Sequence, residues 1–393
     1  MKKLSIATRK CPICDEENIE ILYNLNMVLD NDFPLQGNHK VVKCEKCGFI
    51  YQDSKSTLQD YENYYKNFNK YPSSPTIYEE TKELFPYYMN IIDKFGKKDS
   101  KILDMGCASG LCLQFFKECG YENLVGIDPS NESIDELKKK GIEAYVGSVY
   151  CNNELKFLEN KFDIIVLFGV IEHLFDVQNA VLNLDKYLKE DGIIYITAPN
   201  VERYHGYNNS ISYYFNFEHI NHFSSTSLNN LMVKFGYVNI YTDAYNLKLG
   251  DCSVPCFSGV YTKKDRSSDE LKNDEESVKS VKKYLESYKK NINEQKKVID
   301  DIFRKNEPII IWGAGCVAME LLSRTNLKNC NIEAFVDNDR AKHGKKFLDI
   351  EVCPVDMLYK FDGIIVICSS LYSSDILNEI RSMNISNKVL ILN

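Results

Sequence analysis

Apolar residues fall along this chain in short buried runs separated by amphipathic stretches, and that rhythm predicts most of its elements. Between residues 100 and 200 the runs 102–103, 123–127, 141–146, 162–168 and 192–197 read as strands. Helical patterns lie between them, at Leu111, Leu113, Phe115 and Phe116 and over residues 182–188. Strands alternating with helices in this way call for a parallel sheet covered on both faces. Residues 306–393 restart the pattern with strands at 308–312 and 332–336 and a helix at 318–323 between them. The region 263–305 differs. It is dense in mixed charge, but Val278, Val281, Leu285, Tyr288, Ile292, Ile299 and Ile302 recur at spacings of three and four, interrupted at Gln295. That is one long helix with a narrow apolar stripe, which either braces two domains or pairs with a second chain. Residues 201–262 read as an aromatic, asparagine-rich insert followed by an amphipathic helix over 227–235. Residues 57–67 and 77–95 look helical, joined by a loop containing Tyr71 and Pro72.

At 393 residues and 44% hydrophobic, the chain has material for two or three domains. No run of about 18 apolar residues marks a membrane span. The basic N-terminus leads into a cysteine pair, not an apolar signal core. A net charge of -8 disfavours nucleic acid as a partner. Ten of the 14 cysteines have no framework spacing and read as reduced thiols, which places the protein in the cytoplasm.

The other four cysteines form two Cys-x-x-Cys knuckles, Cys11/Cys14 and Cys44/Cys47. Two knuckles flanking short strands at Val41-Val42 and 49–51 suit a tetrahedral, four-thiolate zinc site, structural because its shell is closed. A disulfide or free-thiol pair is the alternative.

The run 101–110, KILDMGCASG, is a buried strand feeding a glycine turn and a helix, which brings bare backbone and a helix N-terminus to a ligand. Counted from Gly106 it fails the dinucleotide fingerprint, because Leu111 stands where a small residue is required. The Asp-x-Gly-x-x-x-Gly turn resembles motif I of class I S-adenosylmethionine (SAM) methyltransferases. Asp128, at the end of the second strand, is then in register to accept both ribose hydroxyls. The resemblance implies a cofactor site of Asp104, Gly106, Ala108, Gly110, Asp128, Ser148 and Phe168. Phe168-Gly169-Val170-Ile171 follows the fourth strand in place of the Asn/Asp-Pro-Pro-Tyr/Phe of many amino-group methylating enzymes.

Three of the six histidines, His205, His219 and His222, cluster around Glu218. Such a cluster suits proton transfer near neutral pH, a metal held by Glu218, His219 and His222, or ordinary packing. With the cysteine module in front and a nucleotide fold behind, the chain resembles the zinc-containing C-methyltransferases of nucleotide-linked deoxysugars. Their Tyr-x-Glu-His-x-x-Tyr-Phe-Ser segment corresponds to residues 216–224. Glu218 and His219 match, while Asn216 and His222 replace the tyrosines. The resemblance implies His219 as base, Glu218 as its partner, and His173 and His222 at the site. The substrate contacts expected are Tyr71, Tyr78 and Asn216, the two tyrosines on an aromatic lid that ordinary packing also explains.

The expected fold class is α/β. Residues 1–75 form a zinc-ribbon-like module with the aromatic lid region, and 76–262 a doubly wound SAM-methyltransferase sheet. Residues 263–305 are a charged linker helix, and 306–393 a smaller Rossmann-like domain. In that last domain Gly313, Gly315 and Ala318 fit the dinucleotide template with Asp337 at the ribose position, followed by Lys342 and Gly344. It is too short for a full dinucleotide domain, so it grips the nucleotide of the substrate, is a structural remnant, or holds NAD(P). The expected function is SAM-dependent methylation of a nucleotide-linked keto sugar at carbon, with SAM and structural zinc as cofactors. The rivals are O-methylation of a sugar hydroxyl and a non-catalytic SAM-binding assembly protein. A monomer or homodimer without nucleic-acid or membrane partners is expected.

Overall fold

The computed structural model describes residues 5–29, 33–67, 82–150, 153–206, 211–264 and 270–392, and their strands form three sheets. The chain opens with the antiparallel strands β1 (Ser5–Ile6), β2 (Asn18–Asn26), β3 (Asn38–Cys44) and β4 (Ile50–Asp53). The helices α1 (Leu58–Asn67) and α2 (Phe85–Phe95) lead into the central sheet. Tyr71 and Tyr78 lie outside the described residues.

The central sheet is built by β5 (Ile102–Met105), β6 (Leu124–Asp128), β7 (Glu143–Val146), β8 (Phe162–Phe168) and β9 (Leu188–Pro199), all parallel where they pair. The helices α3 (Leu111–Glu118), α4 (Asn131–Lys139) and α5 (Val177–Tyr187) connect them. Successive side chains of a strand leave on opposite faces, and here both faces are covered. Leu103, Val125, Ile165 and Ile194 pack with Val181 and Leu184 of α5 on one side. Ile102, Leu124, Ile164 and Ile193 pack with Ile92, Phe116 and Leu137 of α2, α3 and α4 on the other. This is why the strands read as largely apolar rather than as alternating apolar and polar positions.

The insert that follows contains α6 (Ile211–Tyr214), β10 (Asn221–His222) and α7 (Ser225–Lys234). β10 leaves the central domain and pairs antiparallel with β4, so the N-terminal sheet runs β1-β2-β3-β4-β10. The sequence reading placed no strands between 201 and 262, yet β11 (Tyr237–Leu249) and β12 (Cys252–Lys263) form a long hairpin there. β12 pairs antiparallel with β9, giving the order β11-β12-β9-β8-β5-β6-β7. The expected purely parallel sheet is therefore mixed. β11 is an edge strand with Asn239, Asp243, Asn246 and Lys248, and its alternation of half-buried and exposed positions lacks an apolar run.

The single helix α8 (Glu275–Lys305) runs from an Asp274 cap that accepts Ser277 N at 3.2 Å. Its buried stripe is Val281, Tyr284, Leu285, Tyr288, Ile292, Ile299 and Ile302. These side chains share one core with Val41 and Ile50 of the N-terminal sheet, Tyr204 and Phe215 of the insert, and the last domain. The helix is a brace, and its apolar face is consumed within the chain. Beyond it, β13 (Ile309–Trp312), α9 (Cys316–Arg324), β14 (Ile332–Val336), β15 (Lys346–Phe347), β16 (Ile350–Cys353), β17 (Ile364–Ile367), α10 (Ser373–Ser382) and β18 (Val389–Ile391) make a sheet ordered β15-β16-β14-β13-β17-β18. It is parallel except between β15 and β16. No described helix is long and apolar enough to cross a membrane.

Candidate active site

The turn after β5 is shaped by backbone that only small residues adopt readily. Gly106 and Gly110 have φ of 85° and 71°, and Ala108 has 45°. A Cβ on Gly106 would lie 2.8 Å from Val170 Cγ2, so the turn also needs the missing side chain for space. Asp128, 6% exposed at the end of β6, locks it from the side. One carboxylate oxygen accepts Ala108 N at 3.0 Å and the other accepts Ser130 N at 2.9 Å. Burial holds this carboxyl above the usual range. Burial, then the neighbouring Asp128, pushes Asp104 up to about 7.

These residues line one side of a cavity of about 850 Å³. Asp104, Gly106, Ala108, Asp128, Ser148 and Phe168 all reach it, whereas Gly110 stands just behind, capping α3. Phe168 stacks on Tyr88 with ring centroids 4.1 Å apart. The opposite wall comes from α1, with Tyr61 and Tyr65, and from His173.

His173 sits in the short helical turn Ile171–His173 after β8. Its Nδ1 lies 3.1 Å from Glu218 O. A carbonyl only accepts, so Nδ1 is the donor in this bond. His219 stands behind, its ring 4.8 Å from that of His173. Its loop is tied by Asn216, whose Oδ1 accepts both Glu218 N at 2.8 Å and His219 N at 2.9 Å. Asn216 is buried and its carbonyl amide is committed to this turn. Glu218 accepts a hydrogen bond from the Tyr64 hydroxyl.

His222 is placed apart from this group. It is fully buried on β10, 4.5 Å from the Phe215 ring and 3.4 Å from the Tyr204 hydroxyl, and burial holds its imidazole neutral. The metal set of Glu218, His219 and His222 is not assembled. The trio brought together is Glu172, His173 and His219, whose ligand atoms lie within 4.8 Å of one another. Glu172 is 4% exposed, and burial pushes its carboxyl up to about 8. His205 lies elsewhere, against Ser280 of α8.

Residues 79–242 match the protein family described as a methyltransferase domain, over the sheet that carries this cavity. The central domain is a class I SAM-dependent methyltransferase fold. Two ubiquinone biosynthesis O-methyltransferases illustrate the similarity. That of Rickettsia bellii is 34% identical over 104 residues, 26% of this chain and 43% of its own length. That of Actinobacillus pleuropneumoniae is 29% identical over 114 residues, 27% of this chain and 47% of its own. The chain thus spans less than half the length of these relatives. Among solved structures, a SAM-dependent methyltransferase from Anabaena variabilis aligns over 53% of this chain and 96% of its own at 13% identity, with a TM-score of 0.43. Residues 305–391 match a second family, described as C2185-like, N-terminal.

The methyltransferase domain fits SAM at the glycine turn. A bare-backbone cradle faces the cavity, and a buried carboxylate uses its inner lone pairs on Ala108 and Ser130. Asp128 would hold the ribose, and Gly147 and Ser148, which border the same cavity, would lie at the adenine end.

The four cysteines also fit a metal. Cys11 and Cys47 Sγ are 3.6 Å apart, Cys14 and Cys44 Sγ 3.5 Å, and all four lie within 4.8 Å. A tetrahedron with metal–sulfur bonds near 2.3 Å spaces sulfurs about 3.8 Å apart. The pairs are too far apart for disulfides, whose sulfurs are about 2.05 Å apart.

In the last domain, Asp337 repeats the posture of Asp128. One oxygen accepts Ala314 N at 2.9 Å and the other Asp339 N at 2.9 Å. Here Lys342 Nζ also sits on the carboxylate, at 2.8 Å.

No role is expected from the sequence for Arg9, Gln52, Tyr150 or Glu172, while Tyr65 and Tyr88 fall in the tyrosine-rich region read as a lid. Tyr150 accepts Phe175 N at 2.8 Å and lines the cavity. Of the four, Glu172 alone carries a local signal, beside His173.

Proposed function

We propose that the protein is a SAM-dependent methyltransferase acting on a nucleotide-linked sugar, with carbon beside a ketone as the methylated atom. The observation that carries the reading is one cavity bordered by the Asp104–Asp128 cofactor cradle on one side and by His173, backed by His219, on the other. When bound, SAM supplies an activated methyl group on a sulfonium. The chain's own task is to position the acceptor and move one proton. His173, which lines the cavity and is held through Nδ1 to Glu218 O, is the residue assigned to take that proton. His219 and Glu172 lie where a second proton site is useful. Tyr61 and Tyr65 of α1 line the acceptor side of the cavity. Holding carbon and methyl in line provides much of the rate.

The sugar assignment rests on the four-cysteine module, the Glu218-His219 segment and the nucleotide fold behind. O-methylation of a hydroxyl is the second reading, favoured by the relatives named as O-methyltransferases and by Asn216 in place of tyrosine. The test is purified protein with SAM and a panel of dTDP-, CDP-, GDP- and UDP-linked 4-keto sugars and their 4-hydroxy counterparts, read by product mass. A one-methyl gain on keto sugars with loss of the solvent-exchangeable α-proton supports carbon. Gain only on hydroxy sugars selects oxygen, and no turnover on either panel rejects the sugar reading.

A further inference from the structure

A guanidinium buried among carbonyls joins the cysteine module to the two histidine-bearing loops. Arg9, two residues before Cys11, is 8% exposed. Its Nη2 donates to Phe175 O at 2.5 Å, Asn221 Oδ1 at 3.0 Å and Leu174 O at 3.4 Å, and its Nη1 to Ile220 O at 3.3 Å. The guanidinium lies 4.8 Å from the Phe175 ring centroid. Asn221 completes the staple, its Nδ2 donating to Leu174 O at 2.7 Å and, at longer range, to Ile171 O and Glu172 O. The loop after β8, with His173, and the loop before β10, with His219, are thus clamped to one cation.

Gln52 provides a second clamp from the same module. From β4 its backbone N donates to Ile220 O at 2.9 Å. Its Nε2 donates to His219 O at 2.7 Å and to Asn216 O at 2.5 Å. Asn216 and His219 are the residues that shape the histidine turn.

Among the described residues no carboxylate pairs with the Arg9 side chain, and a buried charge without a counter-charge is costly. Four thiolates around Zn²⁺ would carry a net charge of -2, and the first of them, Cys11, follows Arg9 by two residues.

We propose that Arg9 and Gln52 are positioning residues through which the metal-loaded cysteine module holds the His173 and His219 loops in register over the acceptor half of the cavity. The catalytic part of this rests on the methyltransferase reading above, whereas the mechanical part does not.

The test is amide hydrogen exchange on the full-length, zinc-loaded protein with Arg9→Lys and, separately, Gln52→Met. Lysine keeps the charge but not the planar fork that reaches several carbonyls, and methionine keeps length but not the amide donor. Expected in each variant is exchange about tenfold or more faster over 171–175 and 216–222, with the 104–110 turn, zinc content and SAM affinity held within about twofold. Methyl transfer should lose kcat with the KM for SAM unchanged. Chelating zinc from the unaltered protein should loosen the same two segments. Should Arg9→Lys fail to fold, Gln52→Met carries the test. Unchanged exchange in both segments of Gln52→Met, or equal loosening of the 104–110 turn, overturns the proposal. If the unaltered protein binds SAM but methylates nothing offered, the substrate reading fails while the exchange result stands.

Discussion

Replacing Asp128 with asparagine isolates the charge that the cofactor reading depends on. The carboxylate has about four lone-pair sites, two of them occupied by Ala108 N and Ser130 N at 3.0 and 2.9 Å. The other two are free for the cofactor's ribose hydroxyls. Asparagine has nearly the same volume but one acceptor oxygen. Its amide group must point either at a backbone N–H, which is a donor facing a donor, or at the ribose. A hydrogen bond to a charged group contributes about 1.5–3 kcal/mol. Losing one and weakening the other should cost SAM binding roughly 2–4 kcal/mol, or about 30- to 1000-fold in Kd. Calorimetry at pH 7.5 measures this directly. A thermal shift gives a second view, since ligand at 100 times Kd stabilises the unaltered protein by about 2.7 kcal/mol and the same concentration should do much less for the variant. Because burial raises the Asp128 carboxyl above its ordinary value, SAM affinity of the unaltered protein should also weaken as pH falls from neutral into the acid range. In Asp128→Asn the part of that slope owed to Asp128 should be lost, while Asp104, raised to about 7 in the same cavity, keeps its own. A Kd within about threefold of the original would refute the placement of the ribose.

Burial of Glu172 sets a pH trend in stability. Its carboxyl rises from 4.5 in the unfolded chain to about 8 in the fold, so the native state holds the extra proton between those values. The stability of the SAM-free protein should therefore fall as pH rises from about 4.5 to about 8, by at most several kcal/mol, and Glu172→Gln should flatten the curve in denaturant melts. Asp104, raised to about 7, adds a slope of the same sign that the variant leaves in place. Metal analysis of the purified protein should give one zinc per chain, and Cys14→Ser should lower zinc retention during dialysis against a chelator. In the brace helix, the Tyr288 hydroxyl donates to the Glu320 carboxylate of α9. Tyr288→Phe should destabilise the fold by about 1.5–3 kcal/mol in urea melts. A loss below about 0.5 kcal/mol would show that the bond contributes little.

What was legible in the sequence was what local patterning controls. The strand 162–168 is bounded as read because a run that is apolar except at Asp163 ends in Gly169, and the stripe on α8 emerged from its spacing. The glycine turn and Asp128 were legible because backbone geometry demands particular residues at fixed offsets. The hairpin of β11 and β12 was not, since an edge strand carries polar residues on its open side and so lacks a run of apolar ones. The roles of Arg9 and Gln52 were hidden for a different reason. Their partners at 174–175 and 216–221 lie far along the chain, and nothing local in an arginine before a cysteine announces them. His222 shows the converse error. A histidine three residues after another looks like a second functional imidazole. The chain instead turns into β10 at Asn221, which sends His222 into the core while His219 stays beside His173.

The two glycine turns make a related point about what a motif can promise. Asp128 and Asp337 each end the second strand of their sheet unit and each lock a turn through two backbone N–H groups. By fingerprint the second turn is the better dinucleotide site, yet the ligand face of its acid is covered. Lys342 Nζ lies 2.8 Å from Asp337, and His343 Nε2 lies 2.7 Å from the Asp337 carbonyl. The helix that follows β17 is likewise engaged. Asp251, at the tip of the β11–β12 hairpin, accepts Ser374 N at 2.7 Å and Ser373 Oγ at 3.1 Å. A carboxylate from the methyltransferase domain thus sits where a helix N-terminus would otherwise receive an anion. A ribose competing for Asp337 would have to displace an ammonium group, whereas one approaching Asp128 meets an open cavity wall. The difference lies in side chains outside either motif, so equal fingerprints carry unequal expectations. NAD⁺ at millimolar concentration should leave the thermal midpoint unmoved, while SAM should raise it. A rise with NAD⁺ that survives Asp128→Asn would mean that the Lys342–Asp337 pair opens to a dinucleotide after all.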